Sequence, residues 1–426
     1  MTKATINMLD RKVAPVFQSI ETLDFPAPEQ ITLSNNLPVY LLNYGSQEVL
    51  RLEWISHSGR ISESLPGTSF FALKMLGEGT KELSSAQLQE IFQQYGAFLE
   101  FSNGFDHNVI SIYTLSRHLE PILGLLKEMI MNPRMDPADL AVLKNIKSQE
   151  IKLNQGKNNV VASQLFRKAL FGNQHPYGKS LEEKEVEAID INQASSYHSQ
   201  QLLSNSQLLV SGKIEAVHID QITLAFSSVV FPKRKTLQKF PSITPSSIRQ
   251  DLKDSLQTSI RYGKKFLKMT HPDFISMMVV NEILGGYFGS RLMKNIREDK
   301  GFTYGIYSNV LSLQEEGYFV IGADVIKENL PQTIEEIHKE IHLMQQELIS
   351  TEELETVKNY MLGNLVSSMD TAFDIADKFK RVHLNGLNMD YYTQMVQTIH
   401  EIDPLTIQNL AKQYLQTDSL VLVTVG

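Results

Sequence analysis

The chain has 426 residues, with 40 Lys and Arg against 48 Asp and Glu, a net charge of −8 and 42% hydrophobic residues. This length exceeds one ordinary hydrophobic core, so two or more domains are expected. The acidic balance gives no overall basic field for nucleic acid or anionic lipid, and the absence of cysteine excludes disulfides, thiolate nucleophiles and cysteine–zinc sites.

The amino-terminal segment lacks the pattern of a secretory signal. Asp10, Arg11 and Lys12 interrupt it, and no apolar core follows them. No apolar stretch reaches the roughly 18 residues that a membrane-spanning helix needs. A cytoplasmic location is therefore expected, with the periplasm as the alternative if a leader has been removed.

The first half alternates strand and helix patterns. Residues 37–43 (LPVYLLN) and 50–59 (LRLEWISHSG) are rich in β-formers, which predicts two paired strands. Helices are predicted over 67–76 and 84–96, the second starting from a capping box. The Asn-Gly pair at 103–104 predicts a hairpin, and HLEPILGLLKEMIMNP with DPADLAVLKNIKSQEIKLNQ predicts two further helices.

The same order of patterns recurs in the second half. A strand (SIRYGKKFL), two helices (PDFISMMVVNEILGG and RLMKNIREDKG), a hairpin (TYGIYSNVLSLQEEGYFVIGADV) and a helix pair (NLPQTIEEIHKEIHLMQQ and STEELETVKNYMLGNL) follow one another. Residues 231–247 (FPKRKTLQKFPSITPSS) have the composition of a linker. The sequence therefore predicts a duplicated α+β unit, with domains at 1–230 and 248–426 joined by 231–247.

This order of elements, together with LGGYFGSRLMKNIREDKGFTYGIYS at 284–308, resembles the M16 peptidases of the pitrilysin and processing-peptidase type. The resemblance covers nearly all of both halves. It implies two α+β domains of the LuxS/metalloenzyme-like kind, each a mostly antiparallel sheet covered by helices. It also implies that two subunits close around a chamber.

The resemblance puts a zinc motif on the helix at 67–76. Catalytic members carry H-x-x-E-H before a Gly-Thr pair, and alignment on Gly79-Thr80 places Phe70, Leu73 and Lys74 at the two histidines and the glutamate between them. Glu150 stands where the third ligand is expected. Zinc needs imidazole and carboxylate donors, and its bound water needs a general base. No metal is therefore expected in this chain.

A second feature of the family, an arginine and a tyrosine seven residues apart in the second domain, is kept as Arg297 and Tyr304. The resemblance implies that such a pair reaches the active centre, where it grips the substrate backbone and supports the oxyanion. The alternative is that Arg297 pairs with a neighbouring carboxylate such as Glu298 and that Tyr304 packs on one face of a strand.

Other candidates have structural interpretations. Phe70 and Phe71 are expected on the buried side of their helix, with a wall of the chamber as the alternative, and Glu150 is expected to be a hydrogen-bonded relic on a helix surface. His338 and His342 in HKEIH are four apart and could chelate zinc, but Glu335, Glu336, Lys339 and Glu340 favour a solvated face.

Two glycine-containing motifs are also interpreted structurally. GGYFG at 285–289 is read as a turn that lets two helices pack closely, with a role in shaping the substrate edge as the alternative. His175 in HPYG is read as a loop histidine.

The sequence thus predicts a non-catalytic, substrate-binding subunit of a heterodimeric M16-type peptidase. A partner bearing H-x-x-E-H would supply zinc, and this chain would lend Arg297 and Tyr304, with a strand edge near 303–310 holding the peptide. The rival hypotheses are a structural scaffold and a homodimeric peptide-binding chamber without catalysis.

Overall fold

The structure is a computed structural model that describes residues 23, 25–232, 240–252 and 255–426. The opening segment assessed for a secretory signal and residues 233–239 of the predicted linker lie outside the described residues. The boundary at 231–247 stays a prediction. In the described part, no helix has both the length and the apolar character needed to span a bilayer.

The first half folds around a six-stranded sheet with the order β1-β2-β6-β3-β5-β4. Its strands are β1 (Glu29–Thr32), β2 (Pro38–Asn43), β3 (Val49–Ser56), β4 (Phe98–Asn103), β5 (Asn108–Leu115) and β6 (Ser206–Gly212). All neighbours are antiparallel except β2 and β6, which are parallel. The prediction that β2 and β3 pair directly is wrong, because β6 lies between them.

The second half repeats this arrangement in a five-stranded sheet with the order β7-β11-β8-β10-β9. Its strands are β7 (Ile248–Gln250), β8 (Gln257–Phe266), β9 (Thr303–Ser312), β10 (Gly317–Ile326) and β11 (Val421–Val425). The parallel pair, β7 and β11, occupies the same place as β2 and β6. The predicted duplication of a mostly antiparallel α+β unit is therefore confirmed.

Helices cover the sheets, and several begin where the sequence predicts. In the first half they are α1 (Thr68–Met75), α2 (Ser85–Gln94), α3 (Leu119–Met131), α4 (Pro137–Gln155), α5 (Asn158–Phe171), α6 (Glu183–Ala188), α7 (Ile191–Tyr197) and α8 (Ala216–Phe226). The predicted capping box of α2 is present, because the Ser84 and Gln87 side chains each accept a hydrogen bond from the other's backbone amide. The predicted hairpin forms with a four-residue loop, 104–107.

The helices of the second half are α9 (Phe274–Asn281), α10 (Leu330–Gln346), α11 (Thr351–Ser367), α12 (Ala372–His383), α13 (Asp390–Glu401) and α14 (Pro404–Tyr414). After α9 the chain continues as a π-helical segment, Glu282–Gly286, and a second π-helix covers Met293–Asp299. Such wide turns concentrate at functional sites, and the second of them contains Arg297.

Each half lends a helix to the sheet of the other half. Helix α5 packs on β8 and β11, where Phe166 shares a buried cluster with Val423. Helix α12 packs on β2 and β6, where the rings of Phe379 and Tyr40 lie 5.2 Å apart. Because an apolar sheet face must be covered, each half depends on the other to bury part of its sheet.

A buried ion cluster reinforces the contact between β3 and α12. Arg51 and Glu53, 4% and 2% exposed, form an ion pair of 3.0 Å. Arg51 also binds Asp377, and Lys380 binds both carboxylates. Burial alone would raise the pKa of Asp377, but the hydrogen bonds from Arg51 and Lys380 outweigh it and hold that pKa below its usual value.

We expect Arg51→Met to lower the free energy of unfolding by about 3 kcal/mol, because it removes one partner from a buried pair. The double variant Arg51→Met, Glu53→Met should regain most of the loss, since both buried charges are then absent. Urea unfolding measures both.

The control is Lys213→Met, which removes an exposed ion pair with Glu48 and Glu215 and should change stability by less than about 1 kcal/mol. If Arg51→Met changed the free energy of unfolding by no more than Lys213→Met does, a structural role for the cluster would be contradicted.

Candidate functional site

Helix α1 carries the positions aligned with the zinc motif, and Glu63 fixes its start. The Glu63 carboxylate accepts hydrogen bonds from the backbone amides of Gly67 and Ser69 and from the Ser69 hydroxyl. Burial raises the pKa of Glu63, and these hydrogen bonds act in the opposite direction. The helix therefore has an anchored first turn that does not depend on a metal ion.

The residues aligned with the zinc motif lie on different faces of α1. Phe71 and Leu73 are fully buried, Leu73 in the core of the first domain. Phe70 and Lys74 are half-buried and line a cavity of about 580 Å³. The expectation that both phenylalanines lie on the buried side holds for Phe71, and Phe70 meets it in part: it packs against the buried cluster of Phe71 and also lines the cavity.

Lys147 joins two of the aligned positions. Its ammonium lies 2.9 Å from a carboxylate oxygen of Glu150 and 4.5 Å from the ring centroid of Phe70. Glu150 thus lies across the cavity from α1, as the spacing predicts, and it is hydrogen-bonded, as expected of a relic. The positive charge beside the Glu150 carboxylate is therefore the Lys147 ammonium and not a metal ion.

These side chains do not fit a zinc ion. Phe70 offers no lone pair, Leu73 is apolar and fully buried, and Lys74 carries a cation whose ammonium lies 5.6 Å from the ring centroid of Phe101. Glu150 is the one donor in the set, and Lys147 binds it. Among the described residues, no three His, Cys, Asp or Glu side chains are grouped so that they could hold a metal ion.

Arg297 and Tyr304 lie next to each other at the edge of the second sheet. The Arg297 Nε donates a hydrogen bond of 3.0 Å to the backbone oxygen of Tyr304, and its guanidinium carbon lies 4.6 Å from the ring centroid of Phe288. Its Nη1 also lies 3.9 Å from a carboxylate oxygen of Glu298, the pairing that the alternative predicts. The Tyr304 side chain is 93% exposed. Tyr304 belongs to β9, the last strand of the sheet, so its ring and hydroxyl are open to a binding partner.

The HKEIH segment lies in α10 and does not form a site. His338 and His342 are exposed, and the His338 Nε2 lies 2.8 Å from the Tyr262 hydroxyl. Glu340 is wrongly assigned to the solvated face: it is 8% exposed and accepts a hydrogen bond from the Asn295 side chain. The helix periodicity directs Glu340 inward, beside Ile337 and Ile341.

The GGYFG segment brings a helix close to a strand. A Cβ on Gly285 would lie 2.7 Å from the backbone nitrogen of Ser308 in β9. The same Cβ would lie 3.0 Å from the side chain of Leu292 in the next helix, as close packing of two helices predicts. The glycine also permits the π-helical segment to approach β9, the strand that carries Tyr304.

The HPYG segment is a contact between the two halves. His175 is buried and accepts a hydrogen bond from the Tyr177 amide. Tyr177, which the sequence did not single out, donates to Asp106, and Asp106 accepts a hydrogen bond of 3.1 Å from the Gln314 amide. Tyr177 thus fastens the hairpin loop of the first half to that of the second. No local pattern signals this role, because its partners are distant in sequence.

The fold and the site together define a class of protein: a duplicated peptidase-like chain that keeps the metal-site helix without metal-binding side chains. Two family descriptions match it, "Insulinase (Peptidase family M16)" over residues 57–202 and "Peptidase M16 inactive domain" over 193–361. The chain belongs to the M16 peptidase family.

Proteins from several bacteria are similar to this chain over most of their length. A Bacillus subtilis (strain 168) protein named "Uncharacterized zinc protease YmxG" is 25% identical over 396 residues, 91% of this chain and 94% of that protein. A Helicobacter pylori protein named "Non-peptidase homolog YmxG" is 21% identical over 83% of each chain. The crystal structure of a peptidase M16 inactive domain from Pseudomonas fluorescens has the same fold, with a TM-score of 0.84, 22% identity and coverage of 94% of this chain and 98% of that one.

We expect zinc affinity to depend on Lys147 once imidazoles are supplied. In the variant Phe70→His, Lys74→His, two histidines four apart can chelate the ion, but the Lys147 ammonium still binds Glu150. Adding Lys147→Met should tighten zinc binding at least about tenfold, because Glu150 becomes a free third ligand. Titration calorimetry with zinc measures the difference.

The matched control adds Lys152→Met instead of Lys147→Met. Lys152 lies on the same helix and pairs with Glu183, not Glu150. Equal zinc affinity in the two triple variants would show that Lys147 does not block the third ligand.

Glu282, which precedes GGYFG, generates a pH prediction, because burial raises its pKa from 4.5 to about 7. The folded state then binds the proton more tightly than the unfolded state. Its contribution to stability is full below pH 4.5 and is lost as the pH rises to about 7. Glu282→Gln should remove this loss, so the variant should gain stability relative to the wild type between about pH 5 and pH 8.

Urea unfolding across this pH range tests the expectation. Glu355→Gln, at an exposed residue paired with Lys358, is the control and should show a difference from the wild type that does not change with pH. If the stability difference between Glu282→Gln and the wild type also did not change with pH, a raised pKa of Glu282 would be ruled out.

Proposed function

We propose that this chain is the non-catalytic, substrate-binding subunit of a heterodimeric M16-type zinc peptidase. A partner chain bearing H-x-x-E-H supplies the zinc ion, the water and the general base. This chain lends Arg297 and Tyr304 to the partner's site. The heterodimer works in the cytoplasm on unfolded peptides.

The observation that carries the proposal is the geometry of the Arg297 and Tyr304 pair. A tyrosine ring that is 93% exposed at a sheet edge, beside an anchored guanidinium, has no packing role that would account for it. A phenol and a guanidinium are the donors that stabilise a developing oxyanion. Because the aligned zinc positions hold Phe70, Leu73 and Lys74, the site that these donors serve belongs to another chain.

The edge of β9 suits an extended peptide. In the second sheet β9 pairs with β10 alone. On its other side the backbone oxygens of Tyr304 and Ser308 accept hydrogen bonds from Arg297 and Asn281, so a peptide would pair with the remaining backbone groups of this edge. Strand addition of this kind holds a peptide through its backbone and tolerates varied side chains. Tyr304 stands at the start of this edge, where a bound peptide would meet the partner's active centre.

A scaffold role is the second candidate, and the name of the Helicobacter pylori relative, "Non-peptidase homolog", supports it. In a scaffold, Arg297 and Tyr304 would be inert survivors. A homodimer of this chain would likewise bind peptides without cleaving them. Both alternatives predict that the pair can be removed without effect on any partner.

The test mixes this chain with a co-encoded H-x-x-E-H protein and measures the cleavage of a quenched fluorescent peptide. Arg297→Ala with Tyr304→Phe should lower kcat by roughly 100-fold, because oxyanion donors contribute factors of about this size. The control is Arg249→Ala with Tyr44→Phe, which removes the same groups from the opposite sheet edge and from an exposed loop.

The control pair should activate the partner like the wild type. If the Arg297→Ala, Tyr304→Phe variant activated the partner as well as the wild type does, the proposal that these two side chains act in the partner's site would be refuted. Absence of activation by the wild-type chain would favour the scaffold or the homodimer, and sedimentation of the mixture distinguishes these two.

A further inference from the structure

A positively charged cavity lies beside the lost zinc site. It has a volume of about 530 Å³ and lies between the start of α1, helices α4 and α5 and the loop that contains HPYG. It shares Phe70, Lys147 and Glu150 with the cavity that Lys74 lines. The chain as a whole has a net charge of −8, so the group of basic side chains around this cavity contrasts with the rest of the molecule.

Two arginines that line this cavity, Arg60 and Arg167, contact the same aromatic ring, Phe105. The guanidinium carbons of Arg60 and Arg167 lie 5.0 Å and 5.7 Å from the ring centroid of Phe105. Within the described residues, neither guanidinium has an ion pair with a carboxylate oxygen within 4.0 Å. The Nε of Arg167 is buried and has no hydrogen-bond partner.

The surroundings of Arg167 oppose its charge. Burial lowers its pKa, and the charge of Arg60 lowers it further, with Tyr318 acting in the opposite sense. Two guanidiniums held together without a counter-ion are costly in a partly desolvated place. Arrangements of this kind are retained where a ligand supplies the missing negative charge.

The carboxylates near the cavity are already occupied. Glu150 binds Lys147, and Lys179 binds Glu182 and Glu185. Glu63 acts on Arg60 through space, but its oxygens accept hydrogen bonds from the first turn of α1.

We propose that this cavity binds a carboxylate of a peptide, held by the guanidiniums of Arg60 and Arg167. The planar guanidinium fork matches the two oxygens of a carboxylate. The inference rests on the peptide binding in the proposed function and gives it a preference: peptides with a free carboxyl terminus or an acidic side chain bind better than neutral ones.

Titration calorimetry on the full chain alone tests this preference with three acetylated alanine–serine peptides of equal length. One has a free carboxyl terminus, one has a terminal amide, and one has a terminal amide with an internal glutamate. We expect the terminal amide to bind at least about tenfold more weakly than one or both carboxylate peptides, since two charge-assisted hydrogen bonds are lost. The carboxylate peptide that binds shows whether the cavity takes a carboxyl terminus or an acidic side chain.

Arg60→Gln with Arg167→Gln should abolish the preference, and Arg60→Lys with Arg167→Lys should keep part of it, because charge remains without the fork. Arg249→Gln is the exposed control and should bind like the wild type. Thermal unfolding gives a second readout: removal of an unpaired buried guanidinium should not lower Tm, whereas a structural arginine would.

Equal binding of all three peptides by the wild type would overturn the inference, as would an unchanged preference in the glutamine variant. Binding of inorganic phosphate without any binding of the carboxylate peptides would also overturn it. Because no partner chain is present, failure of peptidase activation leaves this measurement intact, and loss of the carboxylate preference leaves the activation test intact.

Discussion

The character of this site is set by Phe70, Leu73 and Lys74, none of which offers a lone pair to a zinc ion. The Lys147 ammonium adds to this, because it contacts the carboxylate of Glu150 and the ring of Phe70. Because the Glu150 carboxylate is half exposed, this ammonium weakens a third metal ligand and does not by itself exclude a cation. Hydrolysis by a metal-bound water needs the ligands that the aligned positions lack.

The fold survives this loss because its stability never depended on the metal. Helix α1 is held by Phe71 and Leu73, which are fully buried, and by Glu63 at its first turn. The exchange of α5 and α12 buries a face of each sheet against the other half. A metal-binding surface can therefore be rebuilt from other side chains while the packing beneath it stays in place.

The sequence predicted the elements of the fold well and their partners less well. Capping residues, the Asn-Gly pair and the order of patterns located helices, hairpins and the duplication, since these signals are local. The insertion of β6 between β2 and β3 could not be predicted, because an alternating pattern specifies a buried face and not a neighbouring strand. The exchange of α5 and α12 is invisible for the same reason.

The candidate site was predictable in its positions and not in its contacts. Spacing placed Glu150 opposite Phe70, but nothing in the sequence showed that Lys147 would bind both. Phe70 and Phe71 read alike as apolar residues, and the helix turn separates them into a cavity wall and a core residue. Arg167 and Arg60 gave no signal, since they meet only through the ring of Phe105.

These changes have a common electrostatic direction. A zinc site presents lone pairs and negative charge to a cation, whereas this chain presents ammonium and guanidinium groups at the corresponding place and a guanidinium with a phenol at the edge of the second sheet. Groups of this kind hold the negative parts of a peptide, its carboxylates and its developing oxyanion. Guanidinium, ammonium and phenol groups in these positions therefore suit the binding of a peptide, which is the role proposed for this chain.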